Sequence, residues 1–395
     1  TRGTLIGGLL GLLCLLFAAP VRAEDELGDP VQVHGFVSQG FIKSSSNEYL
    51  AHSTRGSFEF TEVGINFTKG ISDRLRVGVQ LFARDLGPLG NYSPSFDWFY
   101  LDYHFADWLG FRAGRTKLPF GLYNEVNDID QARVPILLPQ SVYPVQNRDF
   151  LLAQTGGELY GDLPLSAAGD LEYRLYGGTI FLDTRTSAQI SEFTVPYLYG
   201  GRLMWLSPIE GLQAGASVQK LRLDFDYTPG PEVTGPLEMA GKLPPNFSGV
   251  VSAQIPALLA VGSIEYAAHD LLLAAEYSRW DAKVRSSVPA VFPNSETVSE
   301  RWYAMGSYRV SSWFTPGVYY SVLYPNVDNH KGRDMYQHDV AATLRYDINQ
   351  NWLVKVEGHV MHGTAGLNSA LNGGAPLKTL TKDWGVFLLK TTAYF

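Results

Sequence analysis

The stretch GRTKLPFGLYNEVNDIDQAR, residues 114–133, carries the cations Arg115 and Lys117, then the carboxylates Glu125, Asp128 and Asp130, and then Arg133. Charges of opposite sign on the two sides of a narrow gap exert a transverse field on whatever lies between them. Such a field favours polar solutes that can align and hinders bulky apolar ones. If the same groups touch, they form ion pairs that pin the segment. Both roles can hold, because a pinned segment also defines an aperture.

Bond-breaking chemistry has no comparable support. A hydrolase needs a nucleophile with a base beside it, and no Gly-x-Ser-x-Gly elbow occurs. His359 and His362 in HVMH are three residues apart, which on a strand sends them to opposite faces. GTAGLNSALNGG lacks a following Gly-Lys-Ser/Thr and reads as a loop. Cys14 is the sole cysteine, so disulfides and cysteine metal sites are excluded from the chain beyond it. No catalytic residue, metal or cofactor is assigned.

The elements that must position the charges are strands. LRVGVQLFAR puts Leu75, Val77, Val79, Leu81 and Ala83 on one face, with Arg76, Gln80 and Arg84 on the other. LEYRLYGG opposes Leu171, Tyr173 and Leu175 to Glu172, Arg174 and Tyr176. QHDVAATLRYD sets Val340, Ala342, Leu344 and Tyr346 against Asp339 and Arg345, while RWYAMGSYRV and WLVKVEGHV carry Arg301, Arg309, Lys355 and Glu357 on their polar faces. A half-buried sheet in water alternates too. Charges on the polar face, strand after strand, point instead to a membrane barrel with its apolar side to lipid and its polar side to a wet lumen.

Alternation predicts about sixteen strands, at 31–43, 57–69, 75–85, 96–105, 109–118, 152–162, 168–182, 197–206, 211–227, 258–267, 270–283, 299–310, 314–324, 335–347, 352–362 and 383–395. Short turns such as GISDR, ADW and SSW alternate with long segments such as SSSNEYLAHSTRG, as in barrels with tight periplasmic turns and longer external loops. Trp108, Trp313, Phe314, Tyr346 and Trp352 cluster at strand ends and read as an interfacial girdle. The chain closes on WGVFLLKTTAYF, an amphipathic strand whose last side chain, Phe395, is expected at the inner girdle.

The connection from Pro119 to Leu151 is out of scale with most others, and its VPILLPQSVYP is too apolar to stay solvated. Disorder is not expected for it. Residues 1–23, with an apolar core from Leu5 to Phe17, read as a secretory signal; 24–30 is a short lead-in and 31–395 a single barrel domain. Without 1–23 the chain has 29 basic and 39 acidic side chains, a formal charge of −10, which argues against nucleic acid as a partner. An aromatic share of 13% beside 40 glycines suits strands.

GRTKLPFGL, residues 114–122, resembles a fifth-strand motif Gly-x-x-Lys-x-Pro-Phe-Gly of Gram-negative outer-membrane porins, and is similar to the corresponding stretch of phosphate-selective porins. The resemblance implies an all-β, transmembrane antiparallel barrel with the loop after strand 5 turned inward. It implies passive diffusion of ions and small hydrophilic solutes, a homotrimer, and assembly in an outer membrane of lipid and lipopolysaccharide by the barrel-assembly machinery, with Phe395 part of the signal. The acids after the motif depart from a strictly anion-drawing pattern. Glu125, Asp128 and Asp130 are expected on one side of the constriction, opposite Arg76, Arg84, Arg115 and Lys117, with Arg133 in the loop. Glu172, Arg174, Arg301, Arg309, Asp339, Arg345, Lys355 and Glu357 are expected to face the lumen. An anion- or phosphate-preferring channel and a non-conducting adhesin or structural barrel are the alternatives. An energy-coupled receptor would need a plug before the first strand, where only EDELGDP separates it from the signal.

Overall fold

The computed structural model describes residues 30–181 and 190–395. The expected signal and nearly all of the lead-in lie outside the described residues. Strands run as β1 (Gln32–Ser44), β2 (Phe60–Gly70), β3 (Leu75–Leu86), β4 (Ser95–Ala106), β5 (Leu109–Lys117), β6 (Ala153–Pro164), β7 (Asp170–Thr179) and β8 (Ile190–Leu206). They continue as β9 (Leu212–Tyr227), β10 (Val251–Ala268), β11 (Leu271–Ser286), β12 (Ser295–Tyr308), β13 (Phe314–Tyr324), β14 (Gln337–Asn349), β15 (Trp352–Gly363) and β16 (Asp383–Tyr394). Each pairs antiparallel with its chain neighbours, and β1 pairs with β16 from Phe36 opposite Tyr394 to Ser44 opposite Val386, which closes the barrel. Closure leaves no unpaired edge, the condition for strands to sit in lipid.

Burial is inverted relative to a protein in water. On β15, Lys355 and Glu357 are fully buried, whereas Val360 on the opposite face is 69% exposed. A charge on the outer face would cost about 2–4 kcal/mol at mid-membrane, so the pattern is stable with lipid outside. Turns at 71–74, 107–108, 269–270 and 350–351 are short, and the connections at the other end, among them 45–59, 228–250 and 364–382, are long. Trp108, Trp313 and Trp352 stand exposed at the short-turn end, with Trp313 stacked on Tyr346 at 6.2 Å. Phe395 pairs its N–H and C=O with Gly35, and its ring covers that glycine, where a Cβ would meet it at 2.6 Å.

β8, β10 and β12 begin several residues before the expected starts at 197, 258 and 299. Pro196 and a register shift between Thr194 and Tyr197 interrupt β8, and Pro256 interrupts β10, so the alternating signal fades there. The 228–250 connection holds a short helix, Pro231–Met239, with proline in its first turn.

The 118–152 connection enters the lumen and packs there. Ile136, Leu137 and Leu138 are at most 2% exposed, embedded among Ile42, Leu86 and Leu388 on one side and Leu198, Leu221 and Leu259 on the other. Each such side chain gains about 1.5–3 kcal/mol over exposure to water, which outweighs the cost of ordering its rotamers.

Candidate pore and its inward loop

The loop turns inward at Pro119-Phe120-Gly121. Gly121 has φ +60°, and a Cβ there would lie 2.4 Å from the Tyr143 hydroxyl and 2.7 Å from a Glu276 oxygen. That closeness is the seat of the turn. Glu276, buried on β11, accepts from the Leu122 N–H at 2.9 Å, the Ser263 hydroxyl at 2.5 Å, the Tyr303 hydroxyl at 2.7 Å and the Tyr143 hydroxyl. Gly121 N–H donates to Ser217 on β9, and the Tyr123 hydroxyl to Glu265 on β10.

The three loop acids are each in direct contact with cations. Glu125 meets Arg174 of β7 at 3.1 Å and Arg202 of β8 at 3.2 Å. Asp128 meets Lys117 at 2.5 Å and Arg148 at 3.7 Å, and accepts from Gln80 at 2.9 Å. Asp130 meets Lys355 of β15 at 2.9 Å and Lys390 of β16 at 3.7 Å, with the Thr392 hydroxyl at 2.7 Å. Burial disfavours the charged carboxylates, but the cations win: Lys117 and Arg148 hold Asp128, and Lys355, Lys390 and Arg133 hold Asp130, well below the usual carboxylate range.

Further along, Glu357 accepts the N–H groups of Ile136 and Leu137 at 2.6 and 2.9 Å, and Lys355 donates to the carbonyls of Asp130 and Arg133. Arg345 donates to the carbonyls of Gln131 and Arg133. On the return, Arg84 pairs with Asp149 at 3.0 Å and Arg148 with Asp97 at 2.8 Å. From β3 round to β16, the loop is tied to nearly every wall strand.

The expected arrangement of acids facing Arg76, Arg84, Arg115 and Lys117 across a gap is therefore not what the geometry has. Of those four, Lys117 alone contacts a loop acid of the named set. Arg84 binds Asp149, Arg115 donates to the Asp97 carbonyl at 2.9 Å, and Arg76 lies exposed at the short-turn end near Asp102 and Arg112. Arg133 pairs with Asp130 at 3.7 Å. The reason is length: a loop of this size reaches all the walls, so opposite charges make contact rather than face each other over water. Glu172 pairs with Arg202 at 2.5 Å and Asp339 with His359 at 3.0 Å, both on the inner face. His359 faces in and His362 faces out beside Asp383, as their spacing requires.

Cavities of about 730 and 330 Å³ lie at the short-turn end against β1–β6 and beside Asp130, but one wall has open space at both of its ends. At the short-turn end a cavity of about 870 Å³ is lined by Val134, Pro135, Arg309, Thr315, Arg345 and Asp347. At the long-loop end one of about 210 Å³ is lined by Tyr49, Ser141, Arg301, Ser321, Gln337 and Asp339. Both lie against β12–β14. Between them on the wall stand Tyr303 and Tyr319, each 1% exposed, and the loop touches the wall through Ser141 and Ser321 at 2.7 Å and through Val134, 2.9 Å from where a Gly317 Cβ would lie.

No protein-family model matches the chain, and no curated protein sequence does. Solved structures do. The chain is similar to outer-membrane expressed OmpT of Vibrio cholerae, with a TM-score of 0.60 and 11% identity over 94% of this chain and 100% of the other. This is the porin fold. An anion-selective porin from Comamonas acidovorans matches at TM-score 0.53 and 10% identity, covering 93% of this chain and 99% of that one. Salmonella typhi OmpF, in complex with daunomycin, matches at TM-score 0.53 and 14% identity, covering 93% and 98%.

Within this porin fold, sequence reasoning passed over Tyr303, Tyr319, Glu276 and Tyr143. A signal existed for two of them. Tyr303 is in phase with Arg301, and Tyr319 with Ser321, so the strand period alone places them on the inner face.

Proposed function

We propose that this chain is an outer-membrane diffusion channel for ions and small hydrophilic solutes, whose inward loop leaves a passage along the β12–β14 wall. The observation that carries it is the pair of polar-lined cavities at opposite ends of that wall, separated by a few side chains rather than by a folded domain. Charges beside a passage set its ion preference, without a conformational cycle. A homotrimer is part of the proposal; one of the similar structures is described as the trimer form of OmpT.

The short-turn mouth favours anions as a second, finer reading. Arg309 is exposed there without a carboxylate partner among the described residues, and Arg345 shares the cavity with Asp347. The anion-selective Comamonas acidovorans porin is consistent with such a preference in this fold.

The test is single-channel current in a planar bilayer, with the zero-current potential read in a salt gradient. Stepwise conductance is expected, with a potential of the anion-selective sign that moves toward cations in Arg309→Gln. A folded, inserted barrel that never conducts would overturn the channel reading in favour of a structural or adhesive role. Conductance with a cation-selective potential would remove the finer one alone.

A further inference from the structure

The cavity at the long-loop end holds groups that its own walls leave unsatisfied. The Tyr49 hydroxyl is buried without a partner, on a residue 2% exposed. Arg301, across the same cavity, leaves its buried Nε unpartnered. Its Nη2 donates to the Ser299 hydroxyl at 3.2 Å, and its guanidinium lies 5.4 Å from the centre of the Trp280 ring. A third donor, Gln337 Nε2, reaches only the Met361 sulfur, at 3.7 Å.

Arg301 is unusual among the buried lumen cations. Arg84, Arg112, Lys117, Arg148, Arg174, Arg202, Lys355 and Lys390 each contact a carboxylate. Arg301 contacts none among the described residues; neither does Arg115, but its Nε donates to the Asp97 carbonyl at 2.9 Å, whereas the Arg301 Nε has no partner. The carboxylate in the cavity wall, Asp339, is taken: it accepts from the Tyr319 hydroxyl at 3.1 Å and pairs with His359 at 3.0 Å. His359 is held from its other side by Glu357 at 3.0 Å. The fork of a guanidinium is built to receive two oxygens of one planar or tetrahedral anion.

We propose that this cavity is a binding subsite for the oxyanion head of a small solute, a carboxylate or a phosphate, with Arg301 supplying the charge and Tyr49 a second hydrogen bond. About 210 Å³ admits a solute of a few carbon atoms and no oligomer. The ring of Trp280 behind Arg301 holds the guanidinium in place, as an aromatic face does for a cation. The subsite deepens the channel reading, on which it rests for its role as a staging point before the passage.

The experiment is calorimetric titration of the full-length protein in detergent with succinate, inorganic phosphate and, as a neutral control, glucose, at constant ionic strength. Saturable binding of succinate or phosphate is expected, with no heat from glucose. Arg301→Gln should weaken it at least about tenfold, since a charge-assisted bond is lost, and Tyr49→Phe several-fold. Arg301→Lys, which keeps the charge without the fork, should fall between wild type and Arg301→Gln. Binding of succinate alone, or phosphate alone, names the source of the oxyanion. No binding of either anion, or equal affinity in wild type, Tyr49→Phe and Arg301→Lys, would overturn the subsite even if Arg301→Gln failed to fold. Bilayer current recorded on the same preparations separates the two ideas: binding without current leaves the subsite and removes the channel, and current without binding does the reverse.

Discussion

The loop meets the barrel in two unlike ways. Toward β3, β7, β8, β15 and β16 it is clamped by ion pairs, with Asp128 and Asp130 each set among several cations. Toward β12–β14, beyond Arg345, its contacts are neutral: Ser141 on Ser321, and Val134 over Gly317. Cavities at both ends of the barrel lie on the neutral side, while the clamped side keeps one of about 730 Å³ at its short-turn end. Buried opposite charges that touch leave no water between them, whereas neutral contacts hold the loop less firmly. Arg301 and Arg309, by contrast, have no carboxylate partner among the described residues.

The comparison breaks most visibly at the clamp. Asp130→Asn leaves Lys355 and Lys390, both at most 1% exposed, without that carboxylate, and losing one partner of a buried pair costs about 3–5 kcal/mol. The loop should loosen, with larger and noisier current steps; quiet wild-type steps would show that the ion pairs do not hold it. Gly121→Ala should come next. A Cβ at φ +60° costs about 1–2 kcal/mol before its contact with Tyr143 is counted, so a lower unfolding temperature and unsteady conductance are expected. An unchanged melting profile would mean the turn relaxes freely.

Ser321→Ala sharpens the contrast from the other side. A neutral hydrogen bond is worth about 1 kcal/mol, so this variant should keep quiet steps, with current equal to or slightly above wild type. Noise as large as in Asp130→Asn would erase the distinction between the two sides. The smallest effect is that of pH. Asp128 and Asp130 have carboxyls depressed below the unfolded value of about 3.9, so the stability they contribute is complete above that value and is lost as pH falls through their lower, folded values. Step size and noise at about pH 5 should match those at pH 7. Noise appearing by about pH 5 would mean the clamp titrates earlier than its cations allow.

Much of the barrel was legible because strand structure repeats locally. With a period of two, one look at LRVGVQLFAR or WLVKVEGHV gives a face for every side chain, and Lys355, Glu357 and Arg345 are inward as that period requires. Legibility fell where proline broke the period, at Pro196 and Pro256, and in PEVTGPLEM, whose short helix offers less than three turns of pattern. VPILLPQSVYP told against a disordered loop, while the inward course was expected only from the resemblance to porins.

The pairing of charges was not legible. Glu125 is separated from Arg174 by 49 positions and Asp130 from Lys355 by 225, and no local rule connects them. By itself the sequence determined the strand period, the lipid-facing side and the presence of one long apolar loop, because each depends on neighbours a few residues apart. Which carboxylate meets which cation, and which wall has cavities at both ends, was decided only by the closed barrel. Closure sets the heights and distances at which opposite walls face the loop, and those depend on every strand at once.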